Sequence, residues 1–192
     1  IIGHNRAATK GAVTNSNAHP FIHDNITGVH NGTLRNQSLL TDSKDFEVDS
    51  DNLFYNIALE GIDKTLTKTH GAYTLVWFDE EQETLNFVRN AERPLHYAYS
   101  QDGKELFWAS ESWMLVVGAN KNNVKLGDIK SLPVDTLMTV DMKGFNKWKD
   151  RIADRTSQRV VKPYVQPYNA KKHNRGTYHS NYSLKKVCTS RH

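Results

Sequence analysis

The stretch "GAYTLVWFDEEQETLNFVRNAERPLHYAYSQDGKELFWASES", residues 71–112, decides the architecture. It contains four β-branched and aromatic runs: "GAYTLVWFDEE" at 71–81, "TLNFVRN" at 84–90, "LHYAYS" at 95–100 and "ELFWASE" at 105–111. The turn-forming clusters "DEEQE", "NAERP" and "SQDGK" separate them. Such runs suit a pleated surface, and Asp, Asn, Gly and Pro between them favour reversals, so the segment predicts an antiparallel meander.

Working outward, "ESWMLVVGAN" at 111–120 predicts a helix lying across a sheet, and "DTLMTVDM" at 135–142 a further strand. Upstream, "DSDNLFYNIALEG" at 49–61 is the clearest helix. Ser50 or Asp51 is placed to cap it, Leu53, Phe54, Ile57 and Ala58 share a face, and Gly61 can stop it. A second helical pattern runs from Ile62 to about Thr67. "ITGVHNGTL" at 26–34 reads as a strand interrupted by an Asn-Gly turn, and Ile1 to Ala8 as a short strand entering a loop at Thr9–Asn17. Strands and helices segregate along the chain, which places it in the α+β class.

At 192 residues the chain suits one domain with a sizeable core. Its longest apolar runs, "YTLVWF" at 73–78 and "WMLVVGA" at 113–119, are too short to span a membrane, and no charged-then-apolar leader opens it. Cys188 is the only cysteine, so no disulfide can form within the chain, which fits a reducing compartment such as the cytoplasm. Its polar, basic surroundings carry no nucleophile motif. The net charge of +4 is uneven. Residues 151–192 hold ten Lys/Arg against the single acid Asp154, whereas the first 150 residues hold 15 basic and 20 acidic residues. The expected organisation is a mildly acidic domain over 1–150 and a basic extension over 151–192. That extension is interleaved with Tyr164, Tyr168, Tyr178 and Tyr182. It suits an acidic partner or nucleic acid, although no nucleic-acid-binding signature is present; the plainer reading is a solvated extension.

Four polar islands carry the chemistry: "GHNRAATKG" at 3–11, "NAHPF" at 17–21, "HNGTLRN" at 30–36 and "DSDN" at 49–52. Arg6 presents a fork suited to a carboxylate. Thr9 and the backbone near Gly11 offer donors in a loop that glycine lets approach a ligand closely. Asn31 and Gly32 pair a side-chain amide with an unobstructed N–H, which can stabilise an oxyanion. Asp51 can hold an ammonium group. A carboxylate clamp, an ammonium acceptor and an oxyanion hole together fit an α-amino acid bearing a side-chain amide. Taken singly, each has a plainer reading: Arg6 as a surface ion pair, "HNG" as a turn, Asp51 as a helix cap. His19, His23 and His30 lie close in sequence, but Pro20 argues against the helix that would make His19 and His23 a metal pair, so no metal is expected.

In order and spacing, these islands resemble the class II glutamine amidotransferases, the glutaminase domains of the N-terminal-nucleophile (Ntn) hydrolase superfamily. The resemblance covers roughly Ile1 to Asp141; "GAYTLVWFD", "LNFVRNAERPLHYAYS", "LFWASES" and "LPVDTLMTVD" match its later strands. It implies a four-layer αββα sandwich with antiparallel sheets. It also implies hydrolysis of L-glutamine to glutamate and ammonia through a glutamyl-thioester, without a cofactor. Arg6 would then bind the α-carboxylate, Thr9 and the backbone near Lys10 would line the pocket, and Asp51 would hold the α-amino group. Asn31 and Gly32 would form the oxyanion hole, and His19 would support the loop. Ala7 stands where many members carry an aromatic residue, and Lys10 where histidine is common. The family's nucleophile is an N-terminal cysteine, but this sequence opens at Ile1, already at the arginine loop. The expectation is that the nucleophile and first strand lie upstream, that the chain is inactive without them, and that ammonia passes to a separate acceptor enzyme. The alternative is a non-catalytic, amidotransferase-like binding or structural subunit with the basic extension as its contact.

Overall fold

A strand rich in Val, Leu and aromatics on both its faces must be covered on both, and this requirement organises the molecule. The computed structural model describes residues 1–5 and 7–141, and the backbone of 146–150. Arg6 and the 151–192 extension lie outside the described residues. The elements run β1 (Phe21–His23), β2 (Ile26–Leu34), α1 (Asp49–Glu60), α2 (Ile62–Lys68), β3 (Gly71–Asp79) and β4 (Thr84–Arg89). They continue with β5 (His96–Tyr99), β6 (Leu106–Ala109), α3 (Ser112–Lys121), β7 (Lys130–Ser131), β8 (Thr136–Asp141) and β9 (Asn146–Asp150).

Six strands form one sheet in the order β1-β2-β3-β4-β8-β9, and three form a second in the order β6-β5-β7. Every pairing is antiparallel. Along β3, Tyr73, Leu75 and Trp77 pack against Leu53, Phe54, Ile57 and Leu66 of the helices. Val76, between them, faces the other way and joins Val29, Phe87 and Met138 in packing against Leu95, Tyr97 and Leu132. The large sheet thus has α1 and α2 on one face and the small sheet on the other. Helix α3 lies against β5 and β6, completing the α-β-β-α order.

Four expectations need correction. The meander is divided between the two sheets: β4 pairs with β3 and β8, not with β5. Asn90 ends that ladder by donating to Gly71 O (2.6 Å) and accepting from Tyr73 N (3.2 Å), and the chain then turns through Pro94 into the second sheet. "HNG" is not a turn, because β2 continues unbroken through Asn31↔Thr74 and Gly32↔Tyr73. No strand forms among the described residues of 1–8, where Ile1 and Ile2 are followed by small and polar residues and no apolar alternation develops. Neither Ser50 nor Asp51 caps α1: Val48 is the N-cap, without a side-chain cap bond, and both residues lie inside the first turn.

Gly61, at φ 83°, does stop α1. The helix start is anchored by buried asparagines. Asn56 receives Thr41 N (2.9 Å), and both Asn52 (2.8 Å) and Asn56 (3.1 Å) donate to Thr41 O. Helix α3 buries only Leu115, leaving Trp113, Met114, Val116 and Val117 exposed.

Candidate active site

Strand β1 pairs with β2 only from Ile26 to Gly28, so the second half of β2 keeps one edge free of any described strand. Backbone groups on an antiparallel strand alternate between its two edges. Tyr73 N and O are directed to Asn90, on the far side from β2. Its partner Gly32 is therefore in a non-hydrogen-bonded pair, and the Gly32 N–H points out across the free edge. Leu34, two residues on, points the same way, and its N–H donates to Asp49 Oδ2 at 2.6 Å. A cavity of about 150 Å³ opens along this edge, between the 3–19 loop and the start of α1.

Gly32 is required by the close approach of β3. A Cβ there would lie 1.9 Å from the Ala72 carbonyl oxygen. Thr33 Oγ1 donates to Gly32 O (2.8 Å), which commits its only proton, so Thr9 Oγ1 is the donor in the 3.2 Å bond to Thr33. That bond ties the loop to the strand. Glu47 ties it to the helix start, accepting from Ala12 N (2.6 Å) and Asn17 Nδ2 (2.9 Å).

Asp49 forms the acidic wall. Besides Leu34 N–H, its carboxylate accepts Ser50 N–H at 3.0 Å, and Lys10 Nζ lies 3.9 Å from Oδ2. Under the same wall, His30 Nε2 faces Ala72 O (3.2 Å) and so carries the proton. Nδ1 then accepts the Ser50 hydroxyl at 2.9 Å. Burial pushes the His30 pKa down from 6.5 to about 4, against the opposing pull of Asp49, so the imidazole is neutral at pH 7. Arg93 adds a cation at the cavity wall; its buried Nε has no hydrogen-bond partner among the described residues.

Residues 4–117 match the family model described as a glutamine amidotransferase domain. The chain belongs to the class II glutamine amidotransferases. It is similar to the glutamine–fructose-6-phosphate aminotransferase (isomerizing) of Bartonella quintana, 28% identical over 58% of this chain and 21% of that protein. The Gluconobacter oxydans protein of the same name is 28% identical over 74% of this chain and 26% of its own length. The chain thus spans about a quarter or less of the curated relatives it matches. The fold is that of the glutamine phosphoribosylpyrophosphate amidotransferase from B. subtilis, with TM-score 0.58, 19% identity, and coverage of 79% of this chain and 34% of that one. It also matches the structure called the allosteric regulatory enzyme of purine biosynthesis, at TM-score 0.56 and 19% identity over 72% and 32% of the two chains. Both likenesses agree in fold with the expected sandwich of antiparallel sheets between helices.

In this amidotransferase domain, Thr9, His19, Asn31 and Gly32 all line the cavity, although they come from two separate parts of the chain. The His19 ring packs tilted at 4.0 Å from His4 and edge-on at 4.8 Å from Phe21. Arg6 lies outside the described residues. Asp51 does not line the cavity; its carboxylate is 2.7 Å from His23 Nε2 instead. Positions two apart on a helix do not share a face, so when Asp49 turns to the strand edge, Asp51 turns away. Of the two carboxylates in "DSD", the structure brings Asp49 and not Asp51 to the cavity. The structure adds His30, Ser50 and Arg93 to the cavity, where "HNG", "DSDN" and "NAERP" carry only metal-candidate, cap and turn signals in the sequence. His23 and His30 have partners in different places, and among the described residues no group of three or more His, Cys, Asp and Glu is arranged to hold a metal ion. No helix among the described residues is long and apolar enough to cross a membrane.

Proposed function

We propose that the cavity binds L-glutamine and that the domain releases its side-chain nitrogen as ammonia. The observation that carries this reading is the shared direction of Gly32 N–H and Leu34 N–H across the free edge of β2. One N–H is aimed into the cavity, and the other holds the carboxylate of Asp49 beside it. Asp49, rather than Asp51, accepts the α-ammonium group. Arg6 takes the α-carboxylate, as the family resemblance implies, and Thr9 fixes the loop around it.

When a thiolate adds to the glutamine carboxamide carbon, the carbonyl π pair moves to oxygen. In this reading Asn31 and the Gly32 N–H receive that oxyanion. Collapse of the intermediate breaks the C–N bond, the nitrogen leaves as ammonia with an added proton, and water then cleaves the thioester to glutamate. The thiol in this chemistry is the N-terminal cysteine that the class II resemblance implies, and the cavity residues supply the surroundings it needs. A preorganised donor of this kind is worth roughly a hundred- to a thousandfold in turnover. The ammonia acceptor is proposed to be a separate enzyme, in the reducing cytoplasm that a single cysteine suits.

The test is glutamate release from L-glutamine by the protein in its natural length, alongside calorimetric titration with glutamine. Turnover that falls about a hundredfold or more in Asn31→Ala, with binding retained, supports the reading. Binding without turnover would favour the non-catalytic alternative, and absence of both would overturn the glutamine assignment.

A further inference from the structure

Lys10 follows Thr9 in the cavity loop, and the structure shows what its long cation does. Its loop is pressed against the helix start at Gly11 (φ 72°), where a Cβ would meet Val48 Cγ2 at 2.8 Å. From there Lys10 Nζ donates to Leu34 O at 2.8 Å and lies 3.9 Å from Asp49 Oδ2, the oxygen that also accepts Leu34 N–H. Both backbone groups of Leu34 on the free edge and the Asp49 carboxylate are therefore engaged around one resident ammonium group. An incoming α-ammonium must either displace that group or sit beside a like charge, which is unfavourable at contact distance even near the surface. A ligand that has the carboxylate and the amide but no α-amino group meets neither obstacle. It leaves the Lys10–Asp49 pair intact, and the cations of Lys10 and Arg93 remain to attract its carboxylate.

We infer that Lys10 pre-occupies the ammonium subsite on Asp49 and sets the substrate range, so that the cavity takes ω-amides of dicarboxylic acids lacking an α-amino group as readily as L-glutamine. This rests on the glutamine reading of the same cavity. Both ligands carry the carboxylate that the Lys10 cation attracts, but only glutamine competes with Lys10 for Asp49, so removing the Lys10 charge should favour glutamine relative to its analogue.

The experiment is calorimetric titration of the full chain with L-glutamine and with glutaramate, which is glutamine without its α-amino group. Lys10→Met and Lys10→Gln are measured beside the parent, and thermal melting identifies any variant that fails to fold. The expected result is comparable affinity for the two ligands in the parent. In either folded variant, glutamine should bind roughly fivefold more tightly while glutaramate does not gain. Glutamine affinity that is unchanged or weaker in a folded variant overturns the role of Lys10. A parent that strongly prefers glutamine overturns the substrate range. If neither ligand binds parent or variants, the glutamine reading itself fails and this inference falls with it.

Discussion

The two halves of β2 share one strand and one sheet, yet they do different work. From Ile26 to Gly28 both edges are paired, by β1 and β3, and Phe54 lies so flat on the strand that a Cβ on Gly28 would touch its ring at 2.2 Å. From Asn31 to Leu34 one edge has no neighbouring strand among the described residues, and its backbone groups are taken by side chains or face the cavity: Asp49 on Leu34 N, Lys10 on Leu34 O, Thr33 on Gly32 O. Unpaired strand edges are a liability that proteins usually cover. Here the uncovered half is where the chemistry-bearing residues gather. The length of β1 sets the boundary between the halves.

The largest expected effects come from the two glycines, and they differ in kind. Gly32→Ala should cost about 3 kcal/mol or more in urea unfolding, because the obstacle is the Ala72 backbone and no side-chain change can move it. Gly28→Ala should cost a similar amount, but trimming the ring in Phe54→Leu should recover part of the loss in a double-mutant cycle. Equal rescue at both positions would break the distinction between the halves.

Next comes pH. His30 has its folded pKa lowered from 6.5 to about 4, so between those values the unfolded chain takes up a proton that the folded chain refuses. Stability should fall as pH drops through that window, by roughly 3 kcal/mol in total from this residue. In His30→Gln that part of the pH dependence should disappear, which denaturant midpoints measured from pH 7 to pH 4 would show.

Smaller still is the contrast between neighbouring carboxylates. Asp49→Asn turns an NH2 toward either the Leu34 or the Ser50 N–H donor and should cost about 1–3 kcal/mol, with loss of glutamine binding. Asp51→Asn weakens only its part-exposed contact with His23 and should cost about 1 kcal/mol or less, with binding retained. The reverse order, by denaturation and titration, would return the ammonium site to Asp51.

The segregation of strands and helices, the stop at Gly61, and the order of "GHNRAATKG", "NAHPF", "HNG" and "DSD" along the chain all rest on local chemistry: side-chain shape, turn preference and short-range spacing. These were legible in the sequence, and with them the α+β class and the family. Three things were decided only in three dimensions: the division of the meander at Asn90, the continuation of β2 through Asn31 and Gly32, and the placing of Asp49 rather than Asp51 at the cavity. The last two share one reason. Local sequence prefers a turn at "HNG" and a cap at "DSD". Packing against β3, with the Ala72 carbonyl closed onto Gly32, extends the strand instead, and the extended strand brings the Leu34 N–H to Asp49.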